Sequence, residues 1–173
     1  MSTCKYCGKD AGWFSHSHKE CEEKHEKGMK DFTNIVSAYF TQRASAVDIQ
    51  RMKSKLIADA FLSEEDICSV ANAEIRRYTD SIHRPFSPSS MKLMDEFLIA
   101  AGVSYSKINQ WGAVDEFTKK IMRGFMVEYF TGQLTLQTAH TRCEKLLTKF
   151  PMVQSSIEDA YLYVLDKAAT DST

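Results

Sequence analysis

Apolar side chains recur along this chain at intervals of three and four residues, the spacing that gathers them on one face of an α-helix. Phe32, Ile35, Val36, Tyr39 and Phe40 form one such stripe. It lies in the later part of a helix predicted from Lys19 to about Arg43. The early part of that helix, Glu20 to Asp31, is so charged that it reads as a solvated face. Ser45 followed by Asp48 has the form of a capping box. It predicts a second helix with Ile49, Met52, Leu56, Ile57 and Ala60 turned inward. Ser63 with Asp66 starts a third, whose buried side is Ile67, Ala71, Ile75, Tyr78 and Ile82.

The segment His83-Arg84-Pro85-Phe86 breaks this helix, and Ser87 with Pro88 opens the next. There Met91, Met94, Phe97, Leu98 and Ala101 face the core, and Gly102 ends the element. After a loop around Asn109 to Gly112, the stretch Val114 to Phe130 is the most hydrophobic of all. Phe125, Met126, Val127, Tyr129 and Phe130 make its end apolar nearly all round, which places it centrally in the core, with a subunit interface as the alternative. Two more helices are predicted over Thr135 to Lys149 and Ser155 to Ala168, separated by Phe150-Pro151, and Ser155 with Glu158 forms another capping box. No internal repeat of fixed period is evident.

Composition supports a mainly α fold. Seven Gly and three Pro are few for 173 residues, against a fold made of many tight turns. With 43% hydrophobic and 26% charged residues a sizeable core is available. The formal charge of −1 lacks the basic excess that phosphate-backbone binders carry. Residues 1–31 hold six Lys against six Asp and Glu. No apolar run reaches the roughly 18 residues that a membrane span needs.

The chemistry is concentrated at the front. Cys4-Lys5-Tyr6-Cys7-Gly8 can aim two sulfurs at one ion if the backbone turns tightly, and Gly8 supplies the turn. His18-Lys19-Glu20-Cys21 repeats the spacing on the first turn of a helix. Together they predict one structural zinc ion per chain, bound by Cys4, Cys7, His18 and Cys21, with His25 and His16 as alternatives to His18. Four protein ligands leave no open position for a reacting water. Lys9 to Phe14 is expected to form a short hairpin with Gly12 at its tip and Trp13 and Phe14 packed over the site. The result is a small treble-clef-like knuckle (residues 1–31, including the start of the first helix) followed by an all-α domain (residues 32–173), a bundle of about six to seven helices. Five Cys, three in ligand spacing, fit the reducing cytoplasm better than a disulfide framework.

Cys4-Lys5-Tyr6-Cys7-Gly8-Lys9, Ala11-Gly12-Trp13-Phe14 and His18-Lys19-Glu20-Cys21 resemble the N-terminal zinc motif of a group of bacterial and phage proteins. In those a similar knuckle leads into a charged helix and an all-α module similar to the tellurite-resistance protein TerB. Leu62-Ser63-Glu64-Glu65-Asp66 and the stretch Ser87 to Gly102 fit the helix starts of that module. The match covers roughly residues 1–110, and residues 113–173 match nothing of it. The resemblance implies a role in stress or defence. Modules of this kind can bind metal through clustered acidic residues; no such cluster is found here, so the carry-over stops at Cys4, Cys7, His18 and Cys21.

No nucleophile elbow, P-loop, dinucleotide-binding glycine motif or metalloprotease motif occurs. His140 and Cys143 repeat a His-x2-Cys spacing without an orienting partner, and Cys143 and Cys68 read as packing groups. His83, beside the Pro-containing break, reads as exposed. Two basic spots, Arg76, Arg77 and Arg84, and Lys119, Lys120 and Arg123, are diluted by Glu74, Asp80 and Glu116. The sequence thus points to a non-enzymatic interaction or regulatory protein that docks on a protein partner or on itself, through Trp13 and Phe14 or the apolar central helix. The alternative is a zinc-dependent nucleic-acid binder that sets Lys5, Lys9 and Lys19 against phosphates.

Overall fold

The structure of the protein is a computed structural model that describes residues 2–82, 88–104, 107–108, 112–151 and 157–162. Two short strands, β1 (Ser2–Thr3) and β2 (Asp10–Gly12), pair antiparallel, Ser2 opposite Gly12 and Thr3 opposite Asp10. The helices are α1 (Lys19–Phe40), α2 (Ala46–Ala60), α3 (Glu64–Ser81), α4 (Pro88–Ala101), α5 (Ala113–Phe130) and α6 (Leu136–Lys149). Residues 157–162 are also helical. The mainly α class with a small N-terminal β element is therefore the observed one. The break at His83 to Phe86 and the caps Ser87 and Ser155 lie outside the described residues. No helix among the described residues is long and apolar enough to cross a membrane.

The chain divides into two compact units, residues 1–74 with 96–103, and residues 75–95 with 104–173. The boundary between these units runs through α3 and α4.

In the first unit α1 and α2 form an antiparallel hairpin. Phe32, Val36, Ile49 and Phe97 are fully enclosed. Phe40, Tyr39 and Phe97 make a three-ring cluster, with Phe97 4.8 Å from Phe40 and 5.8 Å from Tyr39 between centroids. The two helices approach closely at Gly28, which is buried in the middle of the charged run. A Cβ there would overlap the Cβ of Ala60 and stand 2.9 Å from Leu62 Cδ1. Only glycine fits this crossing without a shift of the backbones.

The predicted capping box at Ser45 is present, and the predicted helix start at Ser63 is a capping box too. Ser45 Oγ accepts from Asp48 N–H while Asp48 Oδ2 accepts from Ser45 N–H at 2.9 Å. Ser63 and Asp66 repeat this at the start of α3, with bonds of 2.8 and 3.1 Å. Each box satisfies two of the otherwise unpartnered donors of a helix start. One inward assignment fails. Ile57 is exposed, because the buried face of α2 is set by Ile49, Leu56 and Ala60 and Ile57 falls on its rim. There it borders a cleft that Lys53, Leu62, Ile67, Ala101 and Val103 also line.

In the second unit α5 and α6 pack as a hairpin over Phe117, Ile121, Met122, Phe125, Leu146 and Phe150. Phe117 and Phe150 meet edge to face at 5.9 Å. The first part of α5 is thus central in the core, but its last turn is not. Met126, Val127 and Tyr129 are half-buried and Phe130 is exposed.

The two hairpins close with the same turn, although no repeat of fixed period runs through the sequence. Tyr39-Phe40-Thr41 ends α1 and Tyr129-Phe130-Thr131 ends α5. The Thr41 hydroxyl donates to the carbonyls of Ser37 and Ala38, and that of Thr131 to the carbonyls of Val127 and Glu128. Gln42 (φ 58°) and Gly132 (φ 73°) then take the left-handed conformation. Arg43 N–H bonds Ala38 O and Gln133 N–H bonds Glu128 O, both at 2.8 Å. Ser45 and Thr135 cap the helices that follow. The match escapes sequence inspection because what repeats is one turn flanked by helical spacing, with few identities outside it.

Candidate metal centre

The knuckle forms because a short loop can satisfy its own backbone. Cys4 N–H donates to Lys9 O at 2.7 Å and Gly8 N–H to Cys4 O at 2.9 Å, with Gly8 at φ 70°. Lys5 N–H donates to His16 O at 3.0 Å, tying the knuckle to the segment that enters α1. The hairpin differs from the expected one. Its arms are β1 and β2, the knuckle itself lies at its tip, and Gly12 sits at the end of β2. A chain that must return two sulfurs to one point pairs the residues flanking the knuckle, not those beyond it.

His18 occupies the N-cap position of α1, with extended φ and ψ of −85° and 140°, yet its side chain makes no capping bond. The imidazole is turned to the cysteines instead. Nδ1 lies 3.4 Å from Cys7 Sγ and 3.9 Å from Cys21 Sγ. The ligand atoms of Cys4, Cys7, His18 and Cys21 all lie within 4.8 Å of one another. A tetrahedral ion bound at about 2.3 Å by sulfur and 2.0–2.1 Å by nitrogen needs ligand atoms about 3.5–3.8 Å apart. The two distances from His18 Nδ1 bracket that spacing, and the cluster could hold a metal ion. None of the five cysteines is in a disulfide.

The orientation of His18 is fixed from behind. Its Nε2 donates to the carbonyl of Asp10 at 2.9 Å, which leaves Nδ1 as the acceptor facing the sulfurs. A backbone carbonyl on the far nitrogen is the usual outer partner of a ligating histidine. This role of Asp10 has no side-chain signature, so the sequence does not reveal it.

The electrostatics of the cluster favour a cation. Burial opposes ionisation of Cys4, but the backbone N–H groups of Cys7, His18 and Tyr6 outweigh it and bring the thiol down to about 6. Cys21 is pushed up to about 11, first by burial and then by its sulfur neighbours Cys7 and Cys4. His18 is held above the usual imidazole range by the Asp10 carbonyl and then by Cys7. One thiolate discourages the next at this distance, and a divalent ion at the centre removes that conflict.

Around the cluster the structure redistributes the remaining candidates. His25 is not part of the cluster; its Nε2 lies 3.1 Å from Asp66 Oδ2, and its ring lies tilted against Tyr6, 4.8 Å between centroids. It sits one helical turn beyond Cys21, on the same face but too far along the axis. Tyr6, between the two knuckle cysteines, also touches Phe61 at 6.2 Å. Phe61 ends α2 in the left-handed conformation, φ 59°. Tyr6, His25, Asp66 and Phe61 therefore join the knuckle to α1, α2 and the start of α3. His16 contributes its carbonyl and is exposed. Trp13 and Phe14 do not pack over the site. Trp13 is 79% exposed and Phe14 fully so. They follow β2 in a segment whose polar contacts face inward and whose rings do not.

Away from the knuckle, Cys68 and Cys143 are buried, and burial raises the Cys143 thiol to about 11. His140 is exposed, 3.5 Å from Glu144. Lys119 pairs with Glu116 at 3.2 Å and Lys120 Nζ donates to the carbonyl of Thr79, so both are engaged within the second unit. His83 and Arg84 lie outside the described residues. No family model, curated protein or solved structure matches this chain.

Proposed function

We propose that Cys4, Cys7, His18 and Cys21 hold one structural zinc ion, and that the protein is a non-enzymatic interaction or regulatory factor that docks on a protein partner through the knuckle. Three sulfurs and a nitrogen form a soft donor set that suits zinc over hard cations. The observation that carries the reading is the pairing of this closed donor set with two large aromatic side chains left in solvent beside it. A knuckle too small for its own core is stabilised by its metal. It then presents Trp13 and Phe14 on a fixed base, and exposed Trp residues of this kind dominate the energetics of docking surfaces. The resemblance of the knuckle to bacterial and phage proteins with TerB-like modules supports a cytoplasmic setting in stress or defence.

The test combines metal analysis with partner capture. Freshly purified chain is expected to contain one zinc, and Cys7→Ser or Cys21→Ser to lose it while most of the helical circular dichroism survives. A partner captured from the native host is expected to be lost with the Trp13→Ala/Phe14→Ala variant, whose zinc is retained. Capture that is indifferent to that variant defeats the docking role. Absence of zinc in unchelated protein defeats the reading at its base.

A nucleic-acid reading draws on one observation, that Lys5, Lys9 and Lys19 are exposed on the same knuckle. Lys5 already lies over the Tyr6 ring at 4.7 Å, and Lys19 is 3.8 Å from Glu23. Binding of labelled duplex that falls steeply with salt would favour this second reading over protein docking.

A further inference from the structure

The two hairpins end in the same aromatic pair, and one pair is covered while the other is not. In the first, Tyr39 and Phe40 are buried and Phe97 of α4 supplies a third ring. In the second, Tyr129 and Phe130 keep their mutual contact at 5.1 Å. Among the described residues no third ring lies on them. Phe130 is 46% exposed, and Leu136, at the place of Ala46, is 63% exposed. A large apolar residue left in water at the start of α6 has no part in the capping of that helix.

We propose that this end of the α5–α6 hairpin is where a second copy of the chain docks. The charge pattern selects that occupant. From Tyr129 to Ala139 there is no charged residue, whereas the matching stretch of the first hairpin, Tyr39 to Ile49, contains Arg43 and Asp48. An uncharged surface can meet its own image across a two-fold axis without like-charge repulsion. It offers nothing to a nucleic acid or to a strongly acidic or basic segment. In such a contact the Phe130 of each copy gives the other's aromatic pair the ring that Phe97 gives to Tyr39 and Phe40, and Leu136 is buried with it. The surface belongs to the second unit and uses none of the knuckle residues.

Sedimentation of the full chain over a dilution series tests this. The wild type is expected to show a reversible monomer–dimer equilibrium, unchanged by Trp13→Ala/Phe14→Ala. Phe130→Ser and Leu136→Lys are each expected to weaken the dimer at least about tenfold, as truncation of a central anchor does. Both positions are exposed, so unchanged circular dichroism melts of the dilute variants establish that they fold. A wild type that stays monomeric at every concentration overturns the proposal and leaves the surface to a partner of another sequence. A dimer indifferent to both substitutions, or abolished by the Trp13/Phe14 variant, overturns it as well.

Discussion

The α1–α2 and α5–α6 hairpins share a turn and differ in almost everything around it. Each closes with a Tyr-Phe-Thr sequence, a threonine hydroxyl folded back on the preceding turn, a left-handed residue and a hydroxyl cap. The first has its aromatic pair under Phe97, the Cys/His knuckle joined to its far end and a glycine at its helix crossing. The second has none of these, and its residue at the place of Gly28 is the fully buried Thr118, whose hydroxyl bonds Val114 O at 2.8 Å. The local sequence thus specifies the hairpin, while the neighbours decide what each residue of it is worth.

The largest contrast is expected at the aromatic pair. Phe40→Ala empties a position enclosed by Tyr39 and Phe97 and should cost about 3–5 kcal/mol. Phe130→Ala, measured at a dilution where the chain is monomeric, should change stability by less than about 1 kcal/mol. Urea denaturation of the two variants checks this. Equal losses would mean that Phe130 is buried in solution, and the difference between the hairpins would vanish.

A smaller effect of opposite sign in the two copies is expected at the turn. Gln42 is held at φ 58°, where a side chain costs about 1–2 kcal/mol relative to its ordinary conformations. Gln42→Gly relieves that strain and loses part of the gain to backbone entropy, leaving a net stabilisation of about 0.5–1 kcal/mol. Gly132→Gln imposes the same strain on the second hairpin and should destabilise it by about 1 kcal/mol. Thermal melts that move in the same direction for both would show that the turns are not equivalent.

These contrasts also explain what the sequence made legible. The Cys4, Cys7, His18 and Cys21 cluster, the capping box at Ser45, the helix start at Ser63 and the end of α4 at Gly102 were readable because each depends on residues close in the chain. The exposure of Trp13, Phe14 and Ile57 was not, since an apolar residue announces burial whether or not anything lies opposite it. His25 sits at a plausible ligand spacing, and only the start of α3 shows that Asp66 claims it. Gly28 in a charged run gave no hint of a helix crossing, because the partner atoms on Ala60 and Leu62 come from the next helix. The shared turn stayed hidden because the identities are confined to a few residues.

The smallest expected effect is a difference in acid sensitivity. The helix that leaves the first turn is capped through Asp48, and the next one, α3, through Asp66; in the second hairpin the corresponding cap joins Thr135 to Thr138 without a carboxylate. The hydroxyl and N–H of Ser45, with a smaller contribution from Arg51, hold Asp48 below the usual carboxylate range. Burial works against Asp66, but Ser63 and then His25 outweigh it and lower that carboxyl too. A carboxyl depressed by folding stabilises the native state above its unfolded pKa, near 4, and that contribution disappears as pH falls through the lower folded value. The melting temperature of the first unit should therefore decline as pH drops below about 4. Asp48→Asn with Asp66→Asn keeps a side-chain acceptor at both caps and removes the charge, so it should flatten that part of the profile while leaving α6 unaffected. An identical slope in the double variant would place the acid sensitivity elsewhere, and the first hairpin would owe nothing to the charged form of its caps.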